Sequence, residues 1–260
     1  MKGLILAAGK GMRLERTEPG PKALLNFRGK RLIDYLLTAF DSCFIEKDNI
    51  WIVTGFENQY LEEVGTNFVF NPLFESTNML ASVHSARHIF DGTSDLILSY
   101  SDIIFETKIL KQLIDSCGDL VLISDTKWEN LWKFRMDDYL NDVESFSKNE
   151  KNQLLEIGGK YIDRENIAGQ YIGLIKISAN FQQVFIREVE SCYSDSPRNI
   201  ALSKNAKMSM TEFLQLLITK GYNINVSEIS NGWLEFDSRS DFIKYSESDI
   251  SNICNLENIR

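Results

Sequence analysis

Apolar residues along this chain gather in short dense runs, separated by stretches whose apolar positions fall at helical spacing. Lys2-Gly3-Leu4-Ile5-Leu6-Ala7-Ala8 is the first such run and predicts a buried strand. Leu32–Phe40 predicts a helix, Asn49–Thr54 a strand ending at Gly55, and Phe68–Phe70 a short strand. Thr77–Ile89 predicts a helix, Leu96–Ser99 a strand, Lys108–Ser116 a helix and Leu120–Ile123 a strand. This alternation predicts an α/β fold, a Rossmann-like, mostly parallel sheet with helices on both faces and a ligand at the carboxyl ends of the strands. From about 128 to 171 the alternation lapses into a polar, charged stretch with short strand-like runs, expected to form a small antiparallel substrate or lid lobe. Tyr171–Ile177 returns to the core, Phe181–Tyr193 and Thr211–Lys220 read as amphipathic helices, and Ile224–Ile229 as a late strand. The run from Tyr245 to Arg260 is polar and expected at the periphery, as an edge helix or a dimer contact. The whole, 1–260, is expected to be one domain carrying that lobe.

The segment after the first strand carries the chemistry. Gly9-Lys10-Gly11-Met12-Arg13 breaks the apolar run, and Pro21-Lys22 comes shortly after. Small residues and glycines let a ligand approach the backbone and expose N–H groups to phosphate oxygens and a base edge. Lys10, Arg13 and Lys22 add cations, and Pro21 fixes the backbone that aims Lys22. The spacing is neither the dinucleotide fingerprint G-x-G-x-x-G nor the Walker loop. Gly9 and Gly11 by themselves are equally compatible with a plain turn; Arg13 and the Pro-Lys pair favour phosphate.

Composition narrows the partners. A net charge of −9 excludes nucleic acid or an anionic membrane as the main partner, so an anion must be captured by local cations. No apolar stretch approaches the roughly twenty residues needed to span a bilayer. Cys43, Cys117, Cys192 and Cys254 are widely separated, lack metal spacing and follow no secretory signal, so reduced thiols in a cytoplasmic protein are expected. His84 and His88 lie four apart on a helix, but no neighbouring ligand pattern supports zinc, which favours structural histidines.

Two acidic constellations complete the set. Leu98-Ser99-Tyr100-Ser101-Asp102 ends a strand on a carboxylate, where an α/β enzyme would hold a cation or where Asp merely caps the strand. Trp233-Leu234-Glu235-Phe236-Asp237 puts Glu235 and Asp237 on one face of an extended segment. A basic glycine loop with two acidic elements meets the needs of metal-dependent nucleotidyl transfer, because Mg²⁺ takes a few carboxylates and completes its shell with phosphates and water.

The loop L-A-A-G-x-G-x-R with its following P-K resembles the signature of sugar-phosphate and small-molecule nucleotidyltransferases. Glu75–Ser82, Tyr100-Ser101-Asp102, Gln170–Leu174 and Trp233–Asp237 narrow the resemblance to the phosphocholine-type cytidylyltransferases, over most of the chain. That resemblance implies in-line attack by a phosphate or phosphonate oxygen on the α-phosphorus of CTP, expelling pyrophosphate without a covalent intermediate. It implies Lys10 and Arg13 on the β- and γ-phosphates, Lys22 on the α-phosphate, and Asp102 with Asp237 on Mg²⁺. Lys22, Arg13 and Asp102 would be catalytic. Leu6, Ala7, Ala8, Gly9 and Gly11 would meet the nucleotide through backbone, with Asn78 and Ser82 beside them. Acceptors in this group include phosphocholine, phosphoethanolamine, aminoethylphosphonate and phosphorylated amino acids such as phosphoglutamine. Their products feed surface polysaccharide decoration or phosphonate metabolism. The enzyme would act as a monomer or homodimer. The alternatives are a sugar-1-phosphate nucleotidyltransferase using UTP or dTTP, and a nucleotide-sensing module without turnover.

For the acceptor, Tyr100, Trp128, Trp132, Tyr171 and Trp233 offer aromatic faces to an ammonium group, with Glu235 as counter-charge and Gln170 nearby. Trp128 and Trp132 fit substrate contact and local packing equally. Arg135 is either a contact for an acidic acceptor group or a surface ion pair with Asp137 or Asp138.

Overall fold

The computed structural model describes residues 1–11, 20–160 and 167–259. Its frame is a seven-stranded sheet in the order Asn225–Ile229, Leu120–Asp125, Gln170–Ile177, Leu96–Tyr100, Lys2–Leu6, Ile50–Thr54, Asn67–Phe70. Neighbours run parallel except Gln170–Ile177, which is antiparallel to both of its partners. The sheet is therefore the mostly parallel one that the alternation predicts, with the strand after the polar stretch entering reversed.

Period-two alternation divides the core between the two faces. Ile5 packs in one cluster with Leu36 and Ile109, from helices Leu32–Asp41 and Thr107–Asp115. Leu4 and Leu6 pack in the other with Leu80, Phe185 and Phe213, from helices Met79–Ser85, Gln182–Ser191 and Met210–Thr219. The capping box of Ser209 and Glu212 starts the last of these, each satisfying a backbone N–H that the first turn would leave unpaired. The helix expected from Thr77 to Ile89 stops at Ser85 and continues as a 3-10 turn, Arg87–Ile89. His84 and His88 therefore do not share one α-helix, and His84 packs against the Tyr193 ring with centroids 5.5 Å apart. Cys43, Cys117, Cys192 and Cys254 are free thiols.

Two expectations are corrected. The polar stretch opens with a helix, Trp128–Arg135, whose buried residues Trp128, Leu131, Trp132 and Arg135 fall at i, i+3, i+4 and i+7. Only further on does it form an antiparallel pair, Phe146–Lys148 with Leu154–Ile157. The C-terminal run is not peripheral: helix Arg239–Glu247 has the Ser238–Asp241 capping box, and Tyr245, Ile250, Cys254 and Ile259 are buried in the core. Few apolar residues suffice there because each is spaced to face inward, while the polar ones between them face water. Among the described residues no helix is long and apolar enough to cross a membrane.

Gly173 shows why one glycine is placed as it is. The register of Gln170–Ile177 on Leu120–Asp125 shifts between Tyr171 and Ile175, and Gly173 sits there with φ +87°. A Cβ on it would stand 2.5 Å from the Tyr100 ring. The bulge thus lets Tyr100 settle over the neighbouring strand at the carboxyl end of the sheet.

Candidate functional site

At that end opens a cavity of about 330 Å³. Leu6, Ala7, Ala8, Gly9, Gly11 and Lys22 line one side, and Asn71, Phe74, Thr77, Asn78, Met79 and Ser82 a second. Tyr100, Ser101, Asp102 and Asp237 close the third. Among the described residues beyond its chain neighbours, no atom lies within 4 Å of where a Cβ on Gly9 would stand, and Gly9 lines the cavity. Gly11 takes φ +57°, a left-handed conformation in which glycine is unstrained. Two backbone groups of the loop are already spent, the Ala7 N–H on Val53 and the Ala8 carbonyl on Phe56. Lys10 sits on the rim with Nζ 2.7 Å from Glu75. Arg13 lies outside the described residues.

Lys22 is the centre of the site. It leads a single 3-10 turn after Pro21, whose extended backbone points the side chain inward. Its Nζ donates to Asp102 Oδ2 at 2.9 Å and to Asp237 Oδ1 at 3.1 Å. Burial disfavours the charged ammonium, but the two carboxylates outweigh it and hold the pKa above the usual lysine value. Asp102 and Asp237 are 80 and 215 positions away from Lys22 in sequence. The fold brings them together because Asp102 follows one sheet strand and Asp237 follows Trp233–Glu235, which pairs antiparallel with Ile103–Phe105. The Phe236 N–H donates to the Asp102 carbonyl and fixes the two loops to each other. Asp102 Oδ1 is buried without a hydrogen-bond partner among the described residues.

Behind Asp237 stands Arg135, in contrast to the surface pair expected with Asp137 or Asp138. Its guanidinium is buried and contacts three carboxylates: Glu235, Asp237 at 3.3 Å and Asp241 at 3.2 Å. It lies over the Trp132 ring at 5.6 Å. Burial works against its charge, but Glu235, Tyr245 and Asp241 prevail and raise its pKa further. Asp241 in turn accepts the N–H groups of Asp237 and Ser238, so the capping box of the last helix and the Asp237 loop share one carboxylate. For Glu235, burial and the neighbouring Asp237 push the carboxyl up, with Arg135 opposing them.

The remaining residues expected to meet an acceptor divide. Tyr100 lines the cavity, with its ring edge-on to Tyr171 at 5.8 Å. Burial, then the facing Tyr171, raise the Tyr100 hydroxyl well above the usual tyrosine pKa, and burial raises that of Tyr171. Gln170 is spent on backbone, its amide exchanging hydrogen bonds with the main chain of Glu144. Trp128, Trp132 and Trp233 are corrected to packing residues. They are buried in one chain of contacts, 6.0 Å from Trp128 to Trp132 and 5.9 Å from Trp132 to Trp233. The Trp233 N–H donates to buried Asp125. The recess between the Trp132 ring and the carboxylates of Glu235, Asp237 and Asp241 is occupied by the Arg135 guanidinium. Asn78 lines the cavity while capping its helix through the Met79 N–H. Thr77, Met79 and Ser101, which lie in segments that carry the resemblance, also line the cavity, together with Asn71 and Phe74, which carry no motif that would mark them in the sequence.

Two carboxylates, a buried lysine and an open glycine loop at the carboxyl ends of a mostly parallel sheet define a nucleotidyltransferase site. The chain belongs to the family of MobA-like NTP transferase domains, whose profile matches residues 3–155. It is 34% identical over 253 residues to the CTP:phosphoglutamine cytidylyltransferase of Campylobacter jejuni, covering 93% of this chain and 97% of that protein. Among solved structures it is similar to the CTP:phosphocholine cytidylyltransferase of Streptococcus pneumoniae, with TM-score 0.68 and 19% identity over 95% of this chain and 97% of that one. It is also similar to the inositol-1-phosphate CTP transferase of T. maritima, with TM-score 0.73 and 19% identity over 99% and 95%. At these identities the two structures speak for the fold, and the family resemblance read from the sequence holds.

Proposed function

We propose that this nucleotidyltransferase moves CMP from CTP to a small phosphorylated acceptor, releasing pyrophosphate, and that the acceptor is an amino-acid phosphate of the phosphoglutamine class. The observation that carries the reading is Lys22 held between Asp102 and Asp237 at the mouth of the glycine loop. Phosphoryl transfer needs positioning and charge compensation more than covalent chemistry, and a desolvated ammonium fixed by two carboxylates is pre-organised to supply both. A phosphate oxygen is already anionic near neutral pH, so attack on the α-phosphorus requires no general base, and no histidine is among the described residues lining the cavity.

Asp102 and Asp237 fit Mg²⁺. Their oxygens are hard donors, and Asp102 Oδ1 is buried without a partner among the described residues. When bound, the ion would neutralise triphosphate oxygens. Lys22 would compensate charge on the α-phosphate, Gly9 and Gly11 would admit the phosphates to the backbone, and Arg135 would hold Asp237 in place.

The acceptor class rests on Arg135 and on the Campylobacter jejuni relative. With the guanidinium occupying the aromatic and acidic recess, a quaternary ammonium finds no cage there. The test is pyrophosphate release with Mg²⁺ over ATP, CTP, GTP, UTP and dTTP, crossed with phosphoglutamine, phosphocholine, phosphoethanolamine, aminoethylphosphonate and glucose 1-phosphate. CTP with phosphoglutamine is expected to give the highest kcat/KM. Preference for UTP or dTTP with glucose 1-phosphate would overturn the reading, and nucleotide binding without turnover of any pair would make the chain a sensor.

A further inference from the structure

The second wall of the cavity contains a buried amide–hydroxyl pair. Asn71 follows the edge strand Asn67–Phe70 and is only 1% exposed. Its own N–H donates to the Thr54 carbonyl, which ties the turn to the sheet. The Leu73 N–H donates to Asn71 Oδ1 at 3.0 Å. A backbone N–H can only donate, so this bond fixes which end of the amide is oxygen. Asn71 Nδ2 therefore faces the helix Met79–Ser85 and donates to Ser82 Oγ at 3.2 Å. A serine hydroxyl that accepts from an amide keeps its own proton to give, and among the described residues Ser82 Oγ donates to nothing. Both residues line the cavity. The pair consequently offers donor hydrogens to whatever occupies that wall.

We propose that Asn71 is a positioning residue that makes Ser82 a hydrogen-bond donor, and that this polarity selects cytosine over uracil. The inference rests on the reading of CTP as substrate and extends it to the source of base choice. The two pyrimidines differ at ring position 3, where cytosine has a bare acceptor nitrogen and uracil an N–H, and with the opposite sense at position 4, where cytosine carries an amino donor and uracil a carbonyl; in the proposed pose Ser82 stands opposite position 3. A donor hydroxyl held by the amide satisfies the cytosine nitrogen and leaves the uracil N–H facing another hydrogen, and an unmatched polar group in a closed site is discriminated strongly. The sequence resemblance implies Ser82 beside the nucleotide, but its amide partner Asn71 meets it only in the fold.

The test is kcat/KM for CTP and for UTP with a fixed acceptor, together with calorimetric binding of each nucleotide in the absence of acceptor. Asn71→Asp replaces the donor end by an acceptor while keeping an oxygen for the Leu73 N–H. Ser82 then gives its proton to residue 71 and turns its lone pairs to the cavity. The CTP/UTP ratio is expected to fall by about 100-fold from wild type, with UTP binding improved in absolute terms. Asn71→Ala, which buries no charge, is expected to lower the ratio by about tenfold, as is Ser82→Ala. Loss of structure would depress both nucleotides alike and leave the ratio unchanged, so the ratio reports polarity. A wild-type ratio retained in Asn71→Ala or Asn71→Asp, with circular dichroism and a wild-type-like melt showing that variant folded, overturns the relay while the CTP reading stands. A wild-type enzyme with no preference for CTP overturns both.

Discussion

Replacing Arg135 by methionine should cost this protein much of its stability, and the structure indicates how much. Breaking a buried ion pair from one side typically costs about 3–5 kcal/mol, because the remaining charge is left in a poorly solvated place. Arg135 has three carboxylate partners, and their exposure differs. The side chains of Glu235 and Asp237 keep 22% and 16% of their surface, whereas Asp241 keeps 2%. Water can take over part of the solvation of the first two. Asp241 retains the N–H groups of Asp237 and Ser238, which offset some of its loss. The cost should therefore fall at the lower end, about 3 kcal/mol, or roughly 6 °C in Tm at about 2 °C per kcal/mol for a chain of this size. The deficit should also depend on pH. Without the guanidinium, the upward push on Glu235 from burial and Asp237 loses its main opponent, so its carboxyl rises beyond the value of about 8 that it has in the wild type. Up to that value both folded proteins hold a proton that the unfolded chain releases, and the gap between them stays constant; mutant stability decreases relative to wild type only as pH rises from about 8 toward the higher value in the mutant. Urea unfolding of wild type and Arg135→Met at pH 7 and pH 9.5 measures both effects. A loss under about 1 kcal/mol at pH 7, or a gap that widens on acidification, would refute the account of Arg135 as the counter-ion of this cluster.

Asp102→Asn should reduce turnover by about 10²–10³-fold while shifting stability by less than about 1 kcal/mol, because the amide oxygen still accepts from Lys22 and the amide nitrogen only replaces the oxygen that was already buried without a partner; rates and urea midpoints together check this. Lys22→Arg should be nearly as inactive as Lys22→Ala, since a planar fork cannot sit between Asp102 and Asp237 as a compact ammonium does; in steady-state CTP kinetics near-normal kcat in Lys22→Arg would refute the need for a compact ammonium, and near-normal kcat in Lys22→Ala would remove Lys22 from charge compensation. Gly173→Ala should cost roughly 2–4 kcal/mol and disturb the site, because it meets both a left-handed backbone and the Tyr100 ring; a thermal melt and near-ultraviolet dichroism read the two consequences. Trp132→Leu should lower stability by about 2–4 kcal/mol and leave the ranking of acceptors unchanged, as expected of a packing residue, and an altered ranking in the acceptor panel would restore it to the substrate site.

What the sequence determined on its own is local. Period-two and helical spacing define the strands and helices, because burial of one face is a property of consecutive residues; the same holds for the strand that opens into Gly9 and Gly11. Asp102 at a strand end and the shared face of Glu235 and Asp237 were legible for that reason. The stripe of Trp128, Leu131, Trp132 and Arg135 was equally present, but a charged residue on an apolar stripe reads as solvent-facing until its counter-ions are known. Those counter-ions lie about a hundred positions away, in a loop that only the pairing of Trp233–Glu235 with Ile103–Phe105 brings alongside. The tertiary structure alone decided that Lys22 stands between two aspartates, that Arg135 is buried among three carboxylates, and that Asn71 meets Ser82. Each depends on a distance between segments remote in sequence, and the charge, burial and hydrogen-bond polarity of a side chain are set by the neighbours that such distances supply.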